Sequence, residues 1–193
     1  MPRPLVPNRR ERILDAAEEL VLARGFDAMS VAAIAEGAGI GKGAVYLEFP
    51  GKSDILDALL QRGTARLNAR VRSETGEHPR LSEAYRASAH ALLEDPLMTA
   101  AFLDDRGVLG SHVVEVGEGR YRSRLLGVVE WLRELQSRGE LEEQVDAEAL
   151  GLALSSATIG LLSAARLLGP LSAAELEAAI DALGRMAASF ERG

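Results

Sequence analysis

Between Ser30 and Pro50 the chain has room for two short helices and a sharp turn, and for little else. Ser30 suits a helix N-cap, and the alanine-rich stretch "VAAIAEGA" that follows carries a helical pattern as far as Gly39. Gly39, Gly41 and Gly43 then fall within five positions, and a second short helix fits residues 42–48. Pro50 and Gly51 break the chain. Upstream, Ile13, Ala16, Ala17, Leu20 and Val21 recur at helical spacing before Gly25, which supplies a C-terminal stop. Downstream, "KSDILDALLQRGTARLNARVR" is a long amphipathic helix with Asp54 in its first turn. Connections this short leave the first three helices no choice but to pack on one another.

The remainder reads as helical too. Aromatic residues make up only 4% of the 193, while the strong helix formers Ala, Leu, Glu and Arg are plentiful. Pro79 and Pro96 bound one helix, "PLMTAAFLDD" suggests another, and "RLLGVVEWLRELQSRGEL" closes at Gly139. Asp146 caps a helix that ends at Gly169 and Pro170, and Ser172 with Glu175 forms a capping-box pair opening the last. Residues 107–120, rich in Gly and Val, read as a loose helix or a loop. The expectation is an all-α chain, with a three-helix head over 1–51 and a helical body over 52–193.

Composition removes several functions. There is no cysteine, hence no disulfide framework and no thiol chemistry, which suits a reducing cytoplasm. The N-terminal stretch has no continuous apolar core of a signal peptide, and residues 150–169, although apolar, carry Arg166 and several hydroxyls, so a buried or interface helix is expected rather than a membrane span. His78, His90 and His112 are too scattered for a metal site. No nucleophile, base and orienting group come together, so neither an enzyme nor a cofactor is expected. The net charge of −7 lies mostly in the body: residues 1–55 hold seven Lys or Arg against eight Asp or Glu, with Arg3, Arg9, Arg10 and Arg12 gathered at the start. A near-neutral head can still present a local basic face to phosphates.

The glycines around Lys42 admit two readings. A phosphate-cradling Walker loop needs glycine at position 36 and a hydroxyl at 43, where the chain has Glu36 and Gly43. A dinucleotide fingerprint fits Gly39, Gly41 and Ala44 but needs a buried strand before it, and a helical pattern stands there instead. The second reading is a helix-turn-helix. Ile34 and Ala35 face inward, Gly39 supplies the positive φ of the turn, Ile40 fills the space beneath it, and Val45 and Phe49 anchor the second helix. Lys42, Gly43, Ala44, Tyr46, Leu47 and Glu48 are left facing outward at various angles.

"RERILDAAEELVLARGFDAMS" followed by "MSVAAIAEGAGIGKGAVYLEFPGKSDIL" resembles the DNA-binding head of the TetR family of bacterial transcriptional regulators, over roughly residues 9–60. The resemblance implies a cytoplasmic, nucleoid-associated homodimer that binds a palindromic double-stranded DNA operator, usually as a repressor released by a small molecule. A DNA-binding protein of the same shape with no small-molecule effector is the alternative. Ser30, Lys42, Gly43, Ala44, Tyr46, Leu47 and Lys52 are then the DNA-binding candidates: Tyr46 and Lys42 for phosphate, Lys52 for phosphate beside a helix N-terminus, Ser30 as a cap first, and Leu47 for a sugar or thymine methyl. Arg3, Arg9 and Arg10 could form a minor-groove arm. The chain departs from the family pattern at Ala32, Gly41, Glu48 and Gly51. Glu48 matters most, since a carboxylate repels phosphate where a donor is frequent; it stands clear of the backbone, held by Lys52 or an arginine, or it reads a cytosine.

In the body, Leu93, Phe102, Trp131 and His90 are the effector-binding candidates, walls for a largely apolar ligand. For His90 a hydrogen-bonded core histidine is the first reading and pocket lining the second. Two strips of small residues, Ala153, Ala157, Gly160 and Ala164 on one helix and Ala179, Leu183 and Ala187 on the last, suggest a two-fold four-helix dimer interface. Leu154, Leu161, Ile180, Met186 and Phe190 would fill the space around the strips.

Overall fold

The computed structural model describes residues 8–103, 105–112, 119–169 and 171–192. Its helices, in chain order, are α1 (Arg9–Arg24), α2 (Val31–Gly37), α3 (Lys42–Tyr46), α4 (Lys52–Thr75), α5 (Leu81–Leu93), α6 (Pro96–Phe102), α7 (Arg106–Leu109), α8 (Gly119–Ser137), α9 (Ala147–Leu167) and α10 (Ala173–Ala188). Among the described residues there is no strand, only an isolated antiparallel bridge between Leu141 and Glu191. The all-α expectation holds. The punctuation does as well: Gly25, Gly39, Gly76, Gly139 and Gly169 all sit at positive φ beyond a helix end, and Pro96 opens α6. Ser30, Asp146 and Ser172 each accept an N-cap hydrogen bond, and Glu175 completes the capping box. Of 107–120, where a loose helix or a loop is expected, the described residues include the end of the single-turn α7 and the start of α8; residues 113–118 lie outside the described residues.

The helices fall into two units, and the division runs through α4 rather than before it. The first unit takes residues 1–65 and 96–115. Its core joins Ile13, Ala17 and Val21 of α1, Ile34 of α2, Val45 of α3, Ile55, Leu56 and Leu59 of α4, and Leu97, Ala101 and Leu109 of α6 and α7. The first turns of α4 therefore complete the head instead of merely leaving it.

The second unit takes residues 66–95 and 116–193. There α5 packs on α10, and α8 on α9. One cluster gathers Leu81, Val129, Leu132, Leu135, Leu141, Leu150 and Ala187, and a smaller one Ala89, Leu161 and Ile180. Gly184 marks where α10 lies against α5, since a Cβ there would run into the Arg86 side chain. The C-terminal residues are tied down by the Glu191 carboxylate, which accepts from the Ser82 N–H (2.7 Å) and pairs with Arg80 (3.0 Å).

The two small-residue strips meet different fates. On α9, Ala153 and Gly160 are exposed, Ala157 and Ala164 are half-buried, and Leu152 and Ile159 stand out beside them. The stretch Ala147–Ala164 is long and apolar enough to cross a membrane by length and composition, and 28% of it is buried in the isolated chain. On α10 the strip faces inward. Ala187 is fully buried against Leu81 and Leu135, and Ala179 and Leu183 pack half-buried on the Ala89–Leu161–Ile180 cluster. Ala187 is thus corrected from dimer residue to intrachain core residue, because α10 uses its small residues to approach α5. Leu161, Ile180 and Phe190 are committed inside the chain for the same reason, while Met186 is exposed.

Candidate nucleic-acid interface

The interface begins with how α2 is held. The Ser30 hydroxyl accepts from the Ala33 N–H (3.2 Å), which starts the helix and occupies that hydroxyl. Ile34 and Ala35 are buried, and a Cβ on Gly37 would lie 3.1 Å from that of Ala16, so α1 and α2 cross closely. The turn follows at Gly39, with φ +62° and the Arg12 guanidinium over the face where a side chain would project. The positive φ favours glycine here, while the Arg12 side-chain end could move aside for a larger residue. Backbone bonds from Gly39 to Glu36 and from Ile40 to Ala35 close the turn, and Ile40 packs half-buried below it.

Helix α3 is only five residues long, with Gly41 as an N-cap that has no side chain to offer. Its orientation comes from two anchors one turn apart, Val45 and Phe49, both buried. The opposite face follows from helical geometry. Lys42 and Gly43 are exposed, with open space where a Gly43 side chain would be, and Ala44 is half-buried at the margin. Tyr46 and Leu47 are 56% and 76% exposed. An isolated chain gains nothing by holding a tyrosine and a leucine in water beside a lysine; a partner with phosphates and apolar sugar edges suits that row.

Two charged residues behave differently from the expectation. Lys52 does not point its charge clear of the head: its ammonium donates to the carbonyl oxygens of Phe26 (3.1 Å) and Asp27 (3.4 Å) and lies 4.3 Å from the centre of the Phe26 ring. Its observed work is to hold the α1–α2 loop to the start of α4. Glu48 is held by Arg9, not Lys52; the guanidinium Nε donates to its carboxylate at 2.8 Å and Nη2 donates to the same oxygen. Arg10 lies over the Phe49 ring at 4.3 Å. Arg9 and Arg10 are therefore packed onto the head rather than free in an arm, and Arg3 lies outside the described residues.

Around this surface the α1–α2 loop is gripped from a second side. The Phe26 N–H donates to Val108 (2.8 Å), and the Asp27 carboxylate accepts from the Ser111 hydroxyl (2.7 Å) and N–H. These bonds, led by the hydroxyl, hold the Asp27 pKa below the usual carboxylate value. His112, almost fully buried, lies 3.0 Å from Asp57 and against the Phe26 ring. On α4, Arg62 binds Glu11, Asp15 and Glu18 of α1 at 3.0, 2.7 and 2.6 Å. Sequence reasoning found none of these links. Glu48 alone gave a signal, as a charge out of place; a partner forty or fifty residues away leaves no local mark.

The effector candidates are divided between the two units. Phe102 lies on α6 in the first unit, whereas Leu93, His90 and Trp131 belong to the second. There Leu93 packs half-buried on the cluster of Ala89, Leu161 and Ile180, and Trp131 on that of Val129 and Leu132. His90 is hydrogen-bonded but not a core residue: it is part-exposed, with Nε2 3.0 Å from Glu177 on α10. Tyr85 and Thr158 form a part-buried polar pair in this unit (3.4 Å), and burial pushes the Tyr85 pKa up. No group of His, Asp or Glu among the described residues could hold a metal ion.

Comparison with known proteins agrees with this geometry. Residues 13–59, from the first buried residue of α1 to Leu59 on α4, match the model of the bacterial regulatory proteins of the tetR family. The HTH-type transcriptional repressor KstR of Rhodococcus jostii is 33% identical over 116 residues, covering 57% of this chain and 55% of KstR, so the chain spans about half the length of that relative. A TetR-family regulator structure from Rhodococcus sp. superposes with a TM-score of 0.72 at 18% identity, covering 94% of this chain and 99% of that one. The SmeT–triclosan complex does so with a TM-score of 0.66 at 23% identity, covering 94% and 88%. Over residues 13–59 the chain thus carries a DNA-binding head of the TetR family of bacterial transcriptional regulators, and its helical fold is matched nearly end to end by structures of that family.

Proposed function

We propose that the chain is a repressor that binds a palindromic DNA operator as a homodimer and lets go when a small, largely apolar effector binds its body. The observation that carries the DNA-binding part is the exposed row of Lys42, Gly43, Tyr46 and Leu47 over the buried anchors Val45 and Phe49. Lys42 and Tyr46 contact phosphate, Gly43 lets the backbone come close, and Leu47 packs on a sugar or a thymine methyl. Ser30 and Lys52 serve this surface mainly by holding α2 and the α1–α2 loop.

The homodimer reading draws on α9, where Leu152, Ala153, Ile159 and Gly160 form an apolar, small-residue face left in water by the single chain. Covering it in a two-fold contact would recover roughly 1.5–3 kcal/mol for each large side chain fully buried. Met186 of α10 is available to that interface in place of Ala187. Effector release is supported by similarity: KstR is named a repressor, and SmeT is described in complex with triclosan. A two-fold protein implies half-sites about one helical turn apart, or a multiple of it.

The test is a gel shift of the full-length protein on the DNA upstream of its own gene. Tyr46→Phe should weaken binding to every sequence, and Lys42→Ala should also flatten the salt dependence by about one log–log unit per half-site. Undiminished operator binding by a Tyr46→Ala, Lys42→Ala double variant would defeat the reading.

A further inference from the structure

We infer that Arg9 and Glu48 work as one positioning unit: the carboxylate masks the guanidinium and ties the turn after α3 to the first turn of α1, so that neither charge meets DNA by itself. This rests on the DNA-binding reading above. Glu48 lies one turn beyond Ala44, at the edge of the exposed face, where a bare carboxylate would repel phosphate. It is not bare. Its side chain is 23% exposed and that of Arg9 18%, and two guanidinium nitrogens of Arg9 donate to the same carboxylate oxygen. Most of both charged groups is withdrawn from solvent, where a charge-assisted bond is least screened.

The contact spans 39 positions in sequence and acts on a helix that has little else to fix it. A five-residue helix without a side-chain cap is not stable alone, so its orientation depends on what grips it. From beneath, the grip is Val45 and Phe49. From the side it is a pair of neighbours on a pair of neighbours, Arg9 on Glu48 and Arg10 over the Phe49 ring. Lys52, another cation of the head, is engaged by Phe26 and Asp27. Glu48 therefore neither reads cytosine nor simply repels the backbone; it holds an arginine in place and cancels its charge.

Masking and repulsion separate in a double-mutant cycle. Full-length wild type, Glu48→Gln, Arg9→Ala and the double variant would be titrated with a 30-bp random-sequence duplex and with the duplex that wild type enriches from a random pool. On the random duplex, Glu48→Gln should raise affinity and steepen the log–log salt slope by about 0.9 per half-site, because Arg9 is released to phosphate. Arg9→Ala should lower affinity on the random duplex, because it leaves the carboxylate bare, and the double variant should return to wild type; an Arg9→Ala variant that binds like wild type would overturn the inference in favour of an unmasked, simply repelling carboxylate. On the enriched duplex Glu48→Gln should lose about tenfold, the scale of one charge-assisted contact.

A DNA-free measurement covers the case in which wild type binds no duplex at all, which would sink the DNA-binding reading alone. Amide exchange across residues 42–49 should quicken equally in each single variant and return toward wild type in the exchanged pair Arg9→Glu, Glu48→Arg. Unchanged exchange in the single variants would overturn the positioning unit itself.

Discussion

The strips of small residues on α9 and α10 are alike in sequence and opposite in place. Both carry alanines at helical spacing, yet Ala153 and Gly160 face water while Ala187, with Gly184 outside the strip, is closed in by α5 and its neighbours. A small residue states only that something comes close; it does not say whether that is the same chain or a second copy. Position relative to the other helices decides. α10 lies along α5, so its small face is used up within the chain, and α9 shows α8 one side while the apolar side left over is free for a partner.

A pair of substitutions breaks or sharpens this contrast, and carries the largest effect. Ala187→Asp places a charge with no partner in a fully buried position and should cost several kcal/mol, enough to lose the cooperative thermal transition of the body. Gly160→Arg, in open space on α9, should leave that transition where it is and convert a dimer to a monomer in sedimentation. A folded Ala187→Asp monomer, or a Gly160→Arg dimer, would reverse the assignment of the two faces.

The head offers a milder version of the same contrast. Ile34→Ala empties a fully buried site and should cost about 2–5 kcal/mol in denaturant unfolding. Leu47→Ala, two-thirds or more exposed, should change stability by no more than about 0.5 kcal/mol while lowering operator affinity. An equal loss of stability in both variants would mean that Leu47 is covered by the protein itself.

The smallest effect concerns the loop between α1 and α2. Asp27 titrates below its unfolded value because Ser111 donates to it, so its contribution to stability is complete above about pH 4 and is lost as pH falls through the depressed folded value. Ser111→Ala should therefore be less stable than wild type at pH 5, with the difference shrinking toward zero in melts taken at successively lower pH. A difference that stays constant down to pH 2.5 would assign the loss to packing rather than to the carboxylate.

How much of the site was legible follows from how local its causes are. Ser30, Gly39, Val45 and Phe49 were readable because a cap, a positive φ and a one-turn spacing of apolar residues each act within a few residues. The exposed row of Lys42, Gly43, Tyr46 and Leu47 then came as the complement of the buried one. The bonds of Lys52 to Phe26 and Asp27 were not legible because those partners come from the other side of the head, and the same distance hid the partner of Glu48. The effector candidates show a related effect: bulky residues at helical spacing fill whatever core is nearest, and Leu93 and Trp131 pack on two different clusters.

By itself, then, the sequence determined the helices, their caps and breaks, and which face of α2 and α3 turns inward, since hydrogen bonding and helical periodicity act at short range. Only the tertiary structure decided that Arg9 neutralises Glu48, that Lys52 and Ser111 hold the α1–α2 loop, and that α9 rather than α10 keeps its small residues free. Those are pairings between surfaces, and a surface has no partner until the chain has packed.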